Sequence, residues 1–338
     1  MSERSSVGQV RAWLSARRRF QFVVTVAMVM LLTGTCVGLL MVANPVLPKL
    51  RAAQQARAES LGQVAAAVDD PRLAQVRRTV EPFGELVTRV VPTGAGQESL
   101  VVGHPAQRIE IDILARELGA ATAAVTDLWG PDWAQSAMVV VASAPAEFAT
   151  LLRTTTDLPA DVAAASIADP FAPGTRPTAQ RVVFSPDAGR RLSPDGLRTL
   201  LRHELTHVAT RAETVDGASP WMLEGFAEYV AHRGQDHHFG DVAPTVTTRA
   251  RAGELPTDLP AAATFTGKPA ALAYEQAWTI CAYVADKYDE SHLVDLYRRI
   301  AASKQDPASE DRILQEVLHT TRADFVADWR AWLSPHVA

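Results

Sequence analysis

The sequence predicts an α+β fold in which short apolar strands precede a helical carboxy-terminal half. Three observations carry this prediction. Residues 138–142 and Arg181-Val182-Val183-Phe184 are compact apolar runs rich in valine, which read as short strands. From Ser193 onward, segment after segment places apolar residues three and four apart. The first of those helical segments contains His203-Glu204-Leu205-Thr206-His207, a match to H-E-x-x-H.

The helix carrying that motif is marked at its start. Ser193-Pro194 supplies an N-cap and an N1 proline, and Leu197, Leu200, Leu201, Leu205 and Val208 form an apolar stripe at helical spacing. Residues four apart share a helix face, so His203 and His207 aim two imidazole nitrogens at one point, about 2.0–2.1 Å from a zinc ion. Glu204 follows His203 directly; in this motif its carboxylate reaches the metal's water as general base instead of ligating. Residue frequencies alone make an accidental match in such a chain an event of about one per cent. Ser219-Pro220 opens a second helix in the same way, and Gly234 closes it. Glu224 and Glu228 fall on one face of that helix, which offers a carboxylate as third ligand.

In His203-Glu204-x-x-His207, in Trp221-x-Leu223-Glu224-Gly225-Phe226-Ala227, and in Ala273-Tyr274-Glu275-Gln276-Ala277, the chain resembles the gluzincins. These belong to the MA clan of peptidases and include thermolysin and the alanyl-aminopeptidase family. The resemblance covers roughly the last 155 residues. It implies a zincin-like metallopeptidase domain holding one Zn2+, with Glu224 as the third ligand and a peptide or protein as substrate. It also implies that Glu228 orients His203, a role with an independent rationale because a metal-bound imidazole needs an acceptor for its other nitrogen. In the alanyl-aminopeptidase branch a tyrosine in a Tyr-Glu-x-Gly context points its hydroxyl at the oxyanion. Tyr274 takes that place here, with Ala277 where the glycine stands. The other reading of Tyr274 is a core tyrosine beside Trp278, Ile280 and Tyr283. An edge strand over the cleft pairs with extended substrate in zincins, and Arg181–Phe184 is the strand expected to do so. Aminopeptidases of this type hold the substrate amine with Gly-x-Met-Glu-Asn, whereas the single Asn of this sequence is Asn44. An endopeptidase, or a hydrolase of one dedicated envelope substrate, is therefore expected. The alternative is a catalytically inactive envelope binding or scaffold protein that keeps the zincin fold; an intact Glu204 argues against it, since a structural zinc site closes with four ligands and needs no base.

With 338 residues, 47% of them apolar, the chain has room for one sizeable domain and an appendage. Residues 1–19 hold five arginines against Glu3, a local charge of +4 that leaves −9 for the remainder of a chain whose net charge is −5. No basic patch follows, which excludes nucleic acid as an expected partner. Residues 20–48 contain no charge, and 22–43 form an almost unbroken apolar run, about 33 Å long as a helix and sufficient to span a bilayer. The run is longer than a signal-peptide core and ends in Val42-Ala43-Asn44-Pro45, a poor cleavage site. The expected topology is a single-pass anchor at 20–44, the tail 1–19 kept in the cytoplasm by Arg17, Arg18 and Arg19, and the catalytic domain outside the cytoplasm. Cys36 lies in the apolar run and Cys281 in a helical segment, so an intramolecular disulfide is not expected; export without one points to a bacterial protein.

Residues 45–96 read as a helical stalk or lid with stops at Pro71 and Pro82, and 97–338 as the peptidase domain. Residues 107–129 have a helical period ending at Gly130, and 145–152 are helical. The proline-rich stretch 153–179 reads as a loop bordering the cleft, and 253–269 as a second loop. Helices follow at 270–287, 290–301, 309–318 and 322–333. His237-His238 read as solvated loop residues, and His232 as a neighbour of Glu228.

Overall fold

The computed structural model describes residues 71–154, 162–172 and 174–337. The expected cytoplasmic tail, membrane anchor and first part of the stalk lie outside these residues. Among the described residues no helix is long and apolar enough to cross a membrane.

The fold is α+β, with a small mixed sheet ahead of a helical carboxy-terminal half. In chain order the elements are α1 (Pro71–Val80), β1 (Val87–Pro92), β2 (Glu98–Gly103), α2 (Arg108–Trp129), β3 (Met138–Val141), α3 (Pro145–Leu151), β4 (Ala164–Ile167) and β5 (Arg181–Phe184). Then come α4 (Ala188–Arg191), α5 (Pro194–Thr210), α6 (Pro220–His232), α7 (Phe239–Val242) and α8 (Pro244–Arg251). The last elements are α9 (Ala270–Tyr288), α10 (Glu290–Ala301), α11 (Pro307–Leu318) and α12 (Arg322–His336). Sheet order is β1-β2-β3-β5-β4. Strands β2, β3 and β5 run parallel, and β1 and β4 are antiparallel to their neighbours at the two edges.

The pleat sorts the strand side chains into two cores. Val101, Val139, Val141, Val182 and Phe184 face α2 and the carboxy-terminal helices, while Leu100, Val102, Met138, Val140 and Val183 face α1 and α3. With both faces covered, the parallel strands are apolar throughout and show no alternation of polarity.

Helix α1 lies between the stops expected at Pro71 and Pro82, with Pro71 in its first turn, where proline is tolerated. Two differences from the sequence reading share a physical cause, namely that short segments take their conformation from their partners. Residues 87–92, expected within the helical stalk, form β1 and pair along their length with β2. The loop expected at 153–179 contains β4, so the edge beside the metal-motif helix belongs to β4, and β5 is an interior strand between β3 and β4. The four small or apolar residues of β4 carry too little pattern to declare a strand alone.

Helix α5 starts as its sequence predicts: Ser193 Oγ accepts from Gly196 N at 3.0 Å. Ser219 stands at the N-cap position of α6 but makes no capping bond. Its hydroxyl donates instead to the buried Glu310 of α11, which also accepts from Trp221 Nε1 at 2.9 Å. The carboxy-terminal helices thereby anchor the start of α6. Helices α6 and α9 approach closely at Gly225, where an added Cβ would lie 2.4 Å from Ala277 O and 2.9 Å from Cys281 Sγ. Cys281 is a buried core residue, and burial pushes its thiol well above the usual range.

This contact yields a stability prediction. Gly225→Ala gains helix propensity but forces apart two backbones, so it is expected to lower unfolding free energy by about 1–3 kcal/mol in denaturant titration. An unchanged or raised midpoint would show that the α6–α9 contact tolerates a methyl group.

Candidate metal centre

His203 and His207 lie one turn apart on the buried face of α5, and Glu224 and Glu228 lie one turn apart on the facing side of α6. Packing of these two helices brings three ligand-type atoms together. His203 Nε2 is 3.0 Å from His207 Nε2 and 3.4 Å from Glu224 Oε2, and His207 Nε2 is 3.5 Å from the same oxygen. Among the described residues this is the one His/Cys/Asp/Glu group of three whose donor atoms all lie within 4.8 Å of one another.

The donor set fits a cation. Glu224 is 5% exposed, and its Oε2 has no hydrogen-bond donor. A carboxylate oxygen buried without a donor is strongly disfavoured unless a positive charge faces it. Burial works against ionisation of Glu224, yet the neighbouring His207 and His203 outweigh it and hold the carboxyl down at about 2. Two nitrogens and one carboxylate oxygen are the donors that zinc takes, and three protein ligands leave its fourth position open.

Around these three atoms stand the other residues expected at the site. His203 Nδ1 makes an ion-pair contact with Glu228 Oε1 at 2.9 Å. Glu228 is likewise held at about 2, since His203 and His232 outweigh its burial. Glu204 is fully buried, and neither carboxylate oxygen has a hydrogen-bond donor. Burial raises its proton affinity, and the charges of His203 and His207 only partly offset this. Tyr274 enters from the first turns of α9, its hydroxyl buried and without a well-formed hydrogen bond. Burial and the charges of Glu224, Glu228 and Glu204 keep it a neutral phenol. Phe265 holds the ring edge to face at 5.4 Å. The structure therefore brings together all six residues expected at the site: His203, Glu204, His207, Glu224, Glu228 and Tyr274.

Two features escape the sequence reading. Arg211, one turn beyond His207 and two beyond Glu204, is buried and donates through Nη2 to Ser166 O at 3.0 Å and Ser166 Oγ at 2.7 Å. It ties the edge strand β4 to the end of α5. Burial lowers its pKa to about 10, so it stays charged, and its charge acts on Glu204. Helical spacing from Glu204 is the signal that could have found it. His237, solvent-exposed as expected, also places Nδ1 3.0 Å from Nδ1 of His232. Gly234, in left-handed conformation, reverses the chain and makes that contact possible.

No protein family matches this sequence, and no curated protein does. Similar solved structures include an M1 zinc metallopeptidase from Deinococcus radiodurans, at 14% identity over 75% of this chain and 53% of that one, with TM-score 0.40. A mutant of an M1 zinc metallopeptidase from the same organism matches at 15% identity over 74% and 52%, with TM-score 0.42. A two-domain M1 zinc metallopeptidase mutant bound to L-arginine matches at 16% identity over 74% and 52%, with TM-score 0.40. The chain spans about half the length of these structures.

The two acids of α6 should separate in a metal assay. Glu224→Ala is expected to remove most bound zinc, measured by elemental analysis after dialysis. Glu228→Gln should retain it with about 10–100-fold weaker affinity, the cost of losing a partner that orients a ligand. Equal losses in the two variants would contradict their different positions.

Proposed function

We propose that this protein is a zinc-dependent peptidase, with zinc held by His203, His207 and Glu224. The observation that carries this reading is the pairing of a three-atom donor set with a fourth group, Glu204, whose two buried oxygens make no hydrogen bond. A structural metal site does not require such a group; a hydrolytic one does. When bound, zinc supplies Lewis acidity and lowers the pKa of a coordinated water to about 7.

The chain's own residues account for the rest. Glu204 takes the proton of the attacking water and delivers it to the leaving amine, a task suited to a carboxylate whose proton affinity is raised by burial. Glu228 holds the ring of His203 in orientation through Nδ1. Negative charge develops on the carbonyl oxygen of the scissile bond, and Tyr274 donates a hydrogen bond to it. As a phenol kept neutral by burial, Tyr274 retains that proton across the working range. Strand β4, beside α5, offers the sheet edge on which an extended peptide adds, with Arg211 fixing its position at Ser166. Endopeptidase action is the preferred form of the reading, supported by the lack of a Gly-x-Met-Glu-Asn amine-binding stretch.

Two substitutions test this assignment. Glu204→Gln is expected to keep zinc and fold while turnover of a peptide library disappears; activity retained in it would remove Glu204 from the mechanism. Tyr274→Phe keeps the ring packing and should leave zinc content and Tm unchanged, with kcat down about 10²–10³-fold. A variant that lost stability but kept specific activity would make Tyr274 a packing residue. An inactive wild-type chain with full zinc occupancy would favour the binding-protein alternative.

We further propose that residues 20–44 anchor the chain in a membrane, with the catalytic domain outside the cytoplasm. The charge-free apolar run and the arginines before it support this. A reporter active only outside the cytoplasm, fused after Ala338, should work, and the full-length chain should fractionate with membranes. A shortened soluble product in the medium would instead indicate cleavage.

A further inference from the structure

A second pair of imidazoles meets beyond the metal centre, at the end of α6. His232 Nδ1 and His237 Nδ1 are 3.0 Å apart with their rings at 65°. The metal-ligating type of pair, His203 and His207, shows the same 3.0 Å separation of nitrogens with rings at 75°. We propose that His232 and His237 form an accessory site for a divalent transition-metal ion of the zinc class, linked to the metal centre through Glu228.

The tautomer of His232 follows from its other neighbour. Glu228 Oε2 lies 3.5 Å from His232 Nε2, and a carboxylate there favours a proton on Nε2. The lone pair is then on Nδ1, the atom turned toward His237. His237 is solvent-exposed, so its Nε2 is free to carry the proton and its Nδ1 to present a second lone pair. Burial and the adjacent His232 lower the pKa of His237, which favours the neutral, ligating form. The negative charges of Asp195 at the start of α5, Asp236 in the loop and Asp241 in α7 act on His237 and attract a cation to the same place.

The pair is held in position. Gly234 supplies the left-handed turn, with φ of 68°, that folds the loop back on α6. Trp278 stands against the His232 ring at 6.3 Å, edge to face, and Phe239 packs on Trp278. A hydrogen bond from His237 Nδ1 to His232 Nδ1 would use the same two atoms, so proton and metal compete for one nitrogen pair, as they do at any imidazole site. Imidazole donors suit zinc, copper and nickel, and water completes the coordination at an exposed site. A cation on Nδ1 also locks the proton of His232 on Nε2. This fixes the contact to Glu228, whose other oxygen meets His203, so occupancy outside is felt at the centre.

The test is calorimetric titration of the full-length, detergent-solubilised chain with Zn2+ after its first equivalent has been loaded. A second, weaker equivalent is expected in the wild type and in His238→Gln, and its loss in His237→Gln, which should keep the first equivalent. Cu2+ added to the zinc-loaded chain should show two nitrogen ligands by electron paramagnetic resonance, and one in His237→Gln. The proposal is overturned if the wild type takes up one equivalent alone, or if His237→Gln binds the second as tightly as the wild type. Both readouts are binding measurements, so they stand whether or not Glu204→Gln bears out the peptidase reading.

Discussion

Three carboxylates, Glu204, Glu224 and Glu228, are buried within two packed helices, and the organisation of the domain follows from the cost of placing them there. An isolated buried carboxylate is disfavoured by several kcal/mol or more, so each needs a positive or hydrogen-bonding partner. Glu228 has one in His203 and another in His232. Glu224 has two imidazoles, and Glu204 feels Arg211 and both histidines. Even so, Glu224 Oε2 and both oxygens of Glu204 lack a donor, and a divalent cation with its water is the simplest group that satisfies all of them together.

Such a centre needs rigid support, because ligand atoms must be placed within a fraction of an ångström to define one coordination geometry. The support comes from apolar packing on all sides. Helix α5 lies between α2 and α6, with β4 and β5 against its flank. At its carboxy-terminal end Tyr297 donates to Thr210 Oγ1 at 2.9 Å and its ring packs with Trp129 and Phe226. On the other side α9, the helix that carries Tyr274, approaches α6 so closely that only glycine fits at position 225. The accessory imidazole pair grows from the same arrangement, since Glu228 presents one oxygen to the centre and the other toward the surface.

Much of this was legible in the residues because helices are local structures. The stripe in α5, the Ser193 cap, the i,i+4 spacings of His203 with His207 and of Glu224 with Glu228, and the run of carboxy-terminal helices all follow from a period of 3.6 and from caps adjacent in sequence. The resemblance to gluzincins then attached Tyr274, which no spacing rule connects to α5. Strands β3 and β5 were legible for the opposite reason: buried on both faces, they are apolar at every position.

What the sequence by itself determined is which side chains share a helix face and hence which chemistry is offered. The tertiary structure decided which faces meet. Strand β4, the edge position it takes from β5, the strand at 87–92, the bond of Arg211 to Ser166 and the meeting of His237 with His232 all join segments through space or through a left-handed turn. A four-residue strand has little preference of its own; it exists because a neighbour's backbone offers hydrogen bonds in register. Ser219 makes the same point, since a residue type suited to capping was drawn away by a buried carboxylate 91 positions along the chain. Local periodicity is written in the order of residues, whereas pairing and burial are properties of the assembled surfaces.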